Sequence, residues 1–220
     1  MMFNSKFFLL SLPAVGGILA ISIFLKRKNY SNSTAVNEND VFTVKNIVYD
    51  EKFLKKPCRP VENVNDTIRA NLQKMRRTMY LNKGIGIAAN QVGLSHRMIV
   101  IDLQENGVKK PMYLINPKVV WNSSETKTYE EGCLSVPVAV KSKITRSARI
   151  RVEYLDINGV KRDTGKVGGL LAVCLQHEID HLNGKLYIDY LPKNEKSDIV
   201  EKASSILKKL KASTNTREKP

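Results

Sequence analysis

The sequence predicts an α+β fold, in which mixed or antiparallel sheets pack around a central helix and an amphipathic helix closes the C-terminus. Three observations predict it. β-rich runs occur at Arg97 to Leu103, Pro111 to Trp121, Arg149 to Asp156 and Val160 to Thr164. An apolar run without proline, Leu170 to Leu175, continues into Gln176-His177-Glu178-Ile179-Asp180-His181. After Pro192, the residues Ile199, Ala203, Ile206, Leu207 and Leu210 recur at the helical period.

Residues 1–43 stand apart as an N-terminal hydrophobic targeting or anchor segment with its linker. Phe7 to Leu25 is mostly apolar and as a helix measures about 28 Å, close to a bilayer core of roughly 30 Å. Pro13 and Gly16-Gly17 weaken it. As an anchor, residues 7–25 tie the protein to a membrane, and Lys26-Arg27-Lys28 keeps the remainder on the cytoplasmic side. As a signal peptide, Ala20-Ile21-Ser22 offers a cleavage site. Joined to the Lys/Asn-rich, hydroxylated stretch Lys26 to Thr43, it makes a two-part leader to a plastid-type organelle. The two readings stand level; without a leader the address is cytoplasmic.

Residues 44–212 are read as the folded domain and 213–220 as a disordered tail. Asp66 can cap a helix whose apolar positions are Ile68, Leu72, Met75 and Met79, ending near Gly84. Gly84-Ile85-Gly86 lets a ligand's backbone approach closely. It lacks the third glycine and following helix of a dinucleotide fingerprint. Arg97 to Leu103 pairs with Pro111 to Trp121. Ile157-Asn158-Gly159 joins the last two β-rich runs, and Asn-Gly suits a type I′ turn. Gly168-Gly169 opens the central helix, and Gly184 stands where a left-handed cap residue is expected.

The central helix carries the chemistry. His177 and His181 lie at i and i+4, on one face, and they are two of only 3 histidines in 220 residues. With Glu178 between them the pattern is H-E-x-x-H, two metal ligands and a general base in one element. A buried helix whose histidines merely pack would leave Glu178 as an unexplained charge. The best third ligand is Cys133, whose thiolate suits zinc or ferrous iron; Cys58 and Cys174 are weaker candidates. Three protein ligands leave one position open, the catalytic arrangement. The side-chain amide of Gln91 can donate to a developing oxyanion.

Three ordered segments, Gly84-Ile85-Gly86-Ile87-Ala88-Ala89-Asn90-Gln91, Glu131-Gly132-Cys133-Leu134-Ser135 and Gln176 to His181, resemble the peptide deformylase family. They match its patterns without a substitution, and the resemblance covers about residues 44–212. It implies a hydrolase that removes the N-terminal formyl group from formyl-methionine of newly synthesised polypeptides. It implies one divalent metal ion on Cys133, His177 and His181, with Fe2+ as first choice and Zn2+, Ni2+ or Co2+ as alternatives. Glu178 is then the proton shuttle, and Gln91 with the backbone N–H of Leu134 forms the oxyanion hole. Ile85, Leu170, Val173 and Cys174 are candidates for the methionine slot, and Gly84, Gly86 and Gly132 for contacts to the substrate backbone. One departure stands out: the position of a substrate-binding arginine in many bacterial members is Val140 here, followed by Lys141.

Composition is consistent with this reading. The formal net charge of +15 favours polyanionic surroundings. It fits association with the ribosome through a basic surface and the C-terminal helix, and it fits equally the Lys and Asn excess of an AT-rich genome. An odd number of cysteines, 3, argues against a disulfide framework. Two other readings remain. A zinc endoprotease would leave Cys133 and Gln91 unexplained, and a non-enzymatic relative would have no use for an intact Glu178.

Overall fold

The computed structural model describes residues 41–45, 47–136 and 141–215. The anchor-or-leader stretch Phe7 to Leu25, Val140 and residues 216–220 of the tail lie outside the described residues. The chain forms α1 (Ile47–Leu54), α2 (Asp66–Leu81), β1 (Gly86–Ala88), β2 (Met98–Ile101), β3 (Met112–Asn122), β4 (Thr126–Glu131), β5 (Ser142–Ser147), β6 (Arg149–Leu155), β7 (Lys161–Asp163), β8 (Val167–Gly168), α3 (Gly169–Leu182) and α4 (Lys193–Asn215). One sheet follows the path β1-β2-β3-β6-β7, with β8 also on β6, and β4 pairs with β5 separately. The pairings between these strands are antiparallel. The architecture is α+β, with α3 at its centre.

β2 shows why the sheet lies between two helices. Successive strand side chains point to opposite faces, and all four of its residues are buried. Ile99 and Ile101 join Leu114, Ile150 and Val152 in a core with Ala172, Val173, Leu175, Ile179 and Leu182 of α3. Met98 and Val100 join Ile87 and Ile115 in a second core with Ile68, Leu72, Met75 and Met79 of α2. Each fully buried side chain of this size contributes about 1.5–3 kcal/mol. A third cluster gathers Cys133, Val136, Ile144, Leu186, Tyr187, Ile188 and Ile199, and so ties α4 to the segment after β4.

The C-terminal end of α3 is fixed twice. Cys58 N donates to Leu182 O at 2.8 Å. Gly184 takes a φ of +73°, as its expected capping role requires, and a Cβ there would overlap the Lys55 carbonyl.

Three local expectations need correction. The cap of α2 is Asn65, whose Oδ1 accepts from Ile68 N at 3.0 Å; Asp66 is the first helical residue. The β6–β7 turn is not type I′, because only Gly159 has positive φ, at +79°, while Asn158 does not. Asp156 decides this, since its Oδ1 accepts from the backbone N–H of both Asn158 and Val160, and Gly159 N closes the turn onto Asp156 O at 2.9 Å. Finally, α4 runs to Asn215, into the stretch assigned to a disordered tail. No glycine or proline interrupts the chain there.

Candidate metal centre

β4 ends at Glu131, and the next two residues bring Cys133 against α3. On that helix His177 and His181 are one turn apart, with ring centroids 5.1 Å from each other. One ligand atom from each of Cys133, His177 and His181 lies within 4.8 Å of the other two, and all three residues are buried. Cys133 Sγ is 3.2 Å from His181 Nε2. Among the described residues no other group of His, Cys, Asp or Glu has this spacing. Cys58 packs beneath the core of α3 instead, and Cys174 Sγ donates to Ile85 O at 3.7 Å.

The donor set fits a divalent cation. His177 Nδ1 contacts Glu131 Oε2 at 2.8 Å, which fixes the ring and leaves Nε2 as the atom that could meet a cation. His177 Nε2 and His181 Nδ1 are buried without a hydrogen-bond partner among the described residues. Burial holds both imidazoles well below their ordinary pKa, so they are neutral donors at pH 7. Burial pushes the Cys133 thiol up to about 11, with the Glu178 charge adding to it. A bound cation is what would make this buried thiol a thiolate ligand.

The groups around this cluster are held as tightly. Glu178 is fully buried, and burial raises its pKa above the usual carboxylate range, with the Glu131 charge adding and Arg146 opposing. Gln91 Oε1 accepts from Ala88 N at 2.7 Å. That bond fixes the amide so that Nε2 faces Cys133 Sγ at 3.5 Å and Ser135 Oγ at 3.3 Å. Leu134 is half-buried, and a Cβ on Gly84 would sit 3.1 Å from its Cδ1. Gly132 is buried beside Cys133. Ile85, Val173 and Cys174 lie in the core under α3, with Leu170 packed against it. The structure thus brings Cys133, His177 and His181 together, with Gln91 Nε2 beside Cys133 and Glu178 on the same helix, while Leu170 lies in the first turn of α3, about three turns before His181.

Gly86 is the tightest of these positions. A Cβ there would overlap Glu178 Oε1 and lie 2.7 Å from Cys174 Sγ. Gly86→Ala should therefore displace the Glu178 carboxylate and cut turnover by about 100-fold. Bound metal per chain, measured by atomic absorption, should stay unchanged. Wild-type turnover in the variant would show that the carboxylate has room to move.

Sequence reasoning missed the layer behind the ligands. Arg146 Nε and Nη2 both donate to Glu131, the latter at 2.9 Å, and Nη1 donates to Asp180 Oδ2 at 2.7 Å. Tyr190 OH donates to the same Asp180 oxygen at 2.8 Å. Glu131 and Asp180 stand inside the motifs but carry no ligand pattern of their own. Arg146 did leave a signal: Ile144 and Arg146 alternate with exposed residues along β5, which places a charge at an inward position.

The chain matches the family model described as polypeptide deformylase over residues 44–197. It is 47% identical to a peptide deformylase of Pelagibacter ubique over 166 residues, 74% of this chain and 95% of that protein. It is 43% identical to a peptide deformylase of Rhizobium meliloti, over 74% of this chain and 92% of that protein. Among solved structures, peptide deformylase of Ehrlichia chaffeensis in complex with actinonin matches with a TM-score of 0.70 and 39% identity, covering 75% of this chain and 96% of that one. A Legionella pneumophila peptide deformylase matches with a TM-score of 0.71 and 34% identity, covering 82% and 99%.

Proposed function

The chain belongs to the peptide deformylase family, and from that membership we propose how its own residues carry the reaction. The reaction is removal of the N-terminal formyl group from formyl-methionine of newly synthesised polypeptides. Cys133, His177 and His181 hold one divalent ion, Fe2+ by family resemblance. When bound, such an ion supplies a Lewis acid that polarises a carbonyl and acidifies water. Glu178 takes a proton from the attacking water onto its carboxylate and returns it to the departing methionine amine. Gln91 Nε2–H and the Leu134 N–H donate to the formyl oxygen as charge grows there; one such donor is typically worth about 100- to 1,000-fold in rate. Ile85, Leu170, Val173 and Cys174 line the methionine slot, and Gly84, Gly86 and Gly132 let the peptide backbone approach.

The observation that carries this reading is the convergence of Cys133, His177 and His181 within 4.8 Å on a helix that also bears Glu178. A formyl-Met peptide assay, run with and without added Fe2+, tests it. Cys133→Asp replaces a soft sulfur by a hard oxygen and should weaken metal binding or change the preferred ion. If Cys133 were instead a covalent nucleophile, activity would survive a chelator and an acyl adduct would accumulate.

The domain boundaries follow the same proposal, with 44–212 as the catalytic domain. No helix among the described residues is long and apolar enough to cross a membrane. A chain starting at Val44 should keep full activity, because every motif lies beyond Lys83. Loss of folding on that truncation would place residues 1–43 in the core. Residues 1–45 on a fluorescent reporter separate the two addresses. Cleaved reporter inside an organelle supports the leader, and full-length reporter in a membrane fraction supports the anchor. Ribosome association through the basic surface and α4 is tested by co-sedimentation.

A further inference from the structure

A cleft of about 410 Å³ lies behind α3, away from the ligand face of that helix. Gln176, Ile179, Asp180 and Asn183 line it; their spacing of i, i+3, i+4 and i+7 puts them on one helical face. The opposite wall is β3, β5 and the start of β6, with half-buried Val119 at the cleft and Ile150 and Ile179 buried directly behind its surface. Such a volume is within the range of small-molecule sites.

We propose that this cleft is a second binding site, for a small apolar carboxylate, and that its occupant is coupled to His177 through Arg146 and Glu131. The charge of the lining selects the ligand class. Arg97, Lys118 and Arg146 line the cleft with Asp180, and Arg146 is already paired with both Asp180 and Glu131, so the surplus is one positive charge, which favours an anion over a cationic molecule. Arg146 is nearly inaccessible to bulk water, and three of its five N–H donors go to Glu131 and Asp180. The remaining donors can meet a ligand carboxylate in a desolvated setting, where a charge-assisted bond is strong. Gln176 and Asn183 also line the cleft, the first donating to Ser147 O and Ala172 O and the second accepting from Arg97. Val119, with Ile150 and Ile179 buried just behind it, gives that wall an apolar patch for a small aromatic or branched body.

The coupling follows from shared atoms. Arg146 holds Glu131, and Glu131 holds His177 Nδ1 at 2.8 Å. An anion on Arg146 competes with Glu131 and Asp180 for the guanidinium, and so alters how firmly the His177 ring is oriented. This half of the proposal rests on the metal-centre reading; binding in the cleft does not.

The test uses the full chain loaded with Zn2+, labelled at isoleucine methyl groups, and titrated with benzoate or its neutral counterpart benzamide. Ile150 and Ile179 resonances should shift saturably with benzoate, and about tenfold or more weakly with benzamide, the worth of a hydrogen bond to a charged group. Lys118→Glu, at the rim and outside the reaction, should weaken benzoate roughly fivefold. Absence of shifts, equal response to benzamide, or an unchanged response in Lys118→Glu would overturn the site. For the coupling, the visible spectrum of Co2+-loaded protein should change with the same half-saturation as the methyl shifts. Methyl shifts without a spectral change would remove the coupling. A spectral change equally strong in Lys118→Glu would show benzoate on the metal itself, and would overturn it too.

Discussion

Glu178→Ala is expected to lower turnover of a formyl-Met peptide by about 100- to 10,000-fold, the usual range for losing a general base. The metal should remain, because the substitution leaves Cys133, His177 and His181 untouched. Glu178 is fully buried against Gly86, so its removal opens a small cavity and relieves the cost of burying a carboxyl. Stability should therefore change little while activity collapses. The measurement is kcat alongside metal per chain and the thermal midpoint. Equal activity of mutant and wild type would sink the assigned role, and loss of metal would show that Glu178 supports the ligands instead.

Arg146→Met should have the largest effect on stability. The Arg146 side chain is 3% exposed and that of its partner Glu131 0%. Removing the guanidinium strands a buried carboxylate, a change that typically costs about 3–5 kcal/mol. In a chain of this size that is a fall of roughly 6–20 °C in Tm. Loosening Glu131 also frees His177, and such outer-layer changes commonly cost about 10- to 100-fold in metal affinity. Denaturation of the metal-free protein isolates the first effect, and competition with a chromophoric chelator isolates the second. A paired change, Arg146→Met with Glu131→Gln, should recover much of the stability but not the metal affinity. If the single variant is as stable as wild type, the buried pair is not what holds β4, β5 and α3 together.

Much of the fold was legible because its signals are local. The apolar positions of α2, the runs that become β2 and β3, and the stop at Gly184 are each set by neighbours a few residues away. The candidate centre was legible because H-E-x-x-H sets two histidines one helical turn apart, and the cysteine motif stands out in a chain with 3 cysteines. What failed was decided by competition between adjacent side chains: Asn65 over Asp66 at the α2 cap, and Asp156 over the Asn-Gly preference in the β6–β7 turn. The layer behind the ligands was hidden for another reason. Arg146 meets Glu131 and Asp180 only after β5 folds against α3, and no local pattern announces a contact of that range.

The closure of Cys58 onto Leu182 has a consequence for how the chain is made. Synthesis is vectorial, and the bond joins positions near the start and end of the domain. Cys133 precedes His181 by 48 residues, which at ordinary elongation rates is about 2–10 s of translation. Throughout that interval the early strands have no central helix to cover them, and the cysteine has no imidazoles beside it. Maturation must therefore wait until the segment around Gly184 has left the tunnel. Only then can the helix dock, shut out water and bring His177 and His181 to Cys133.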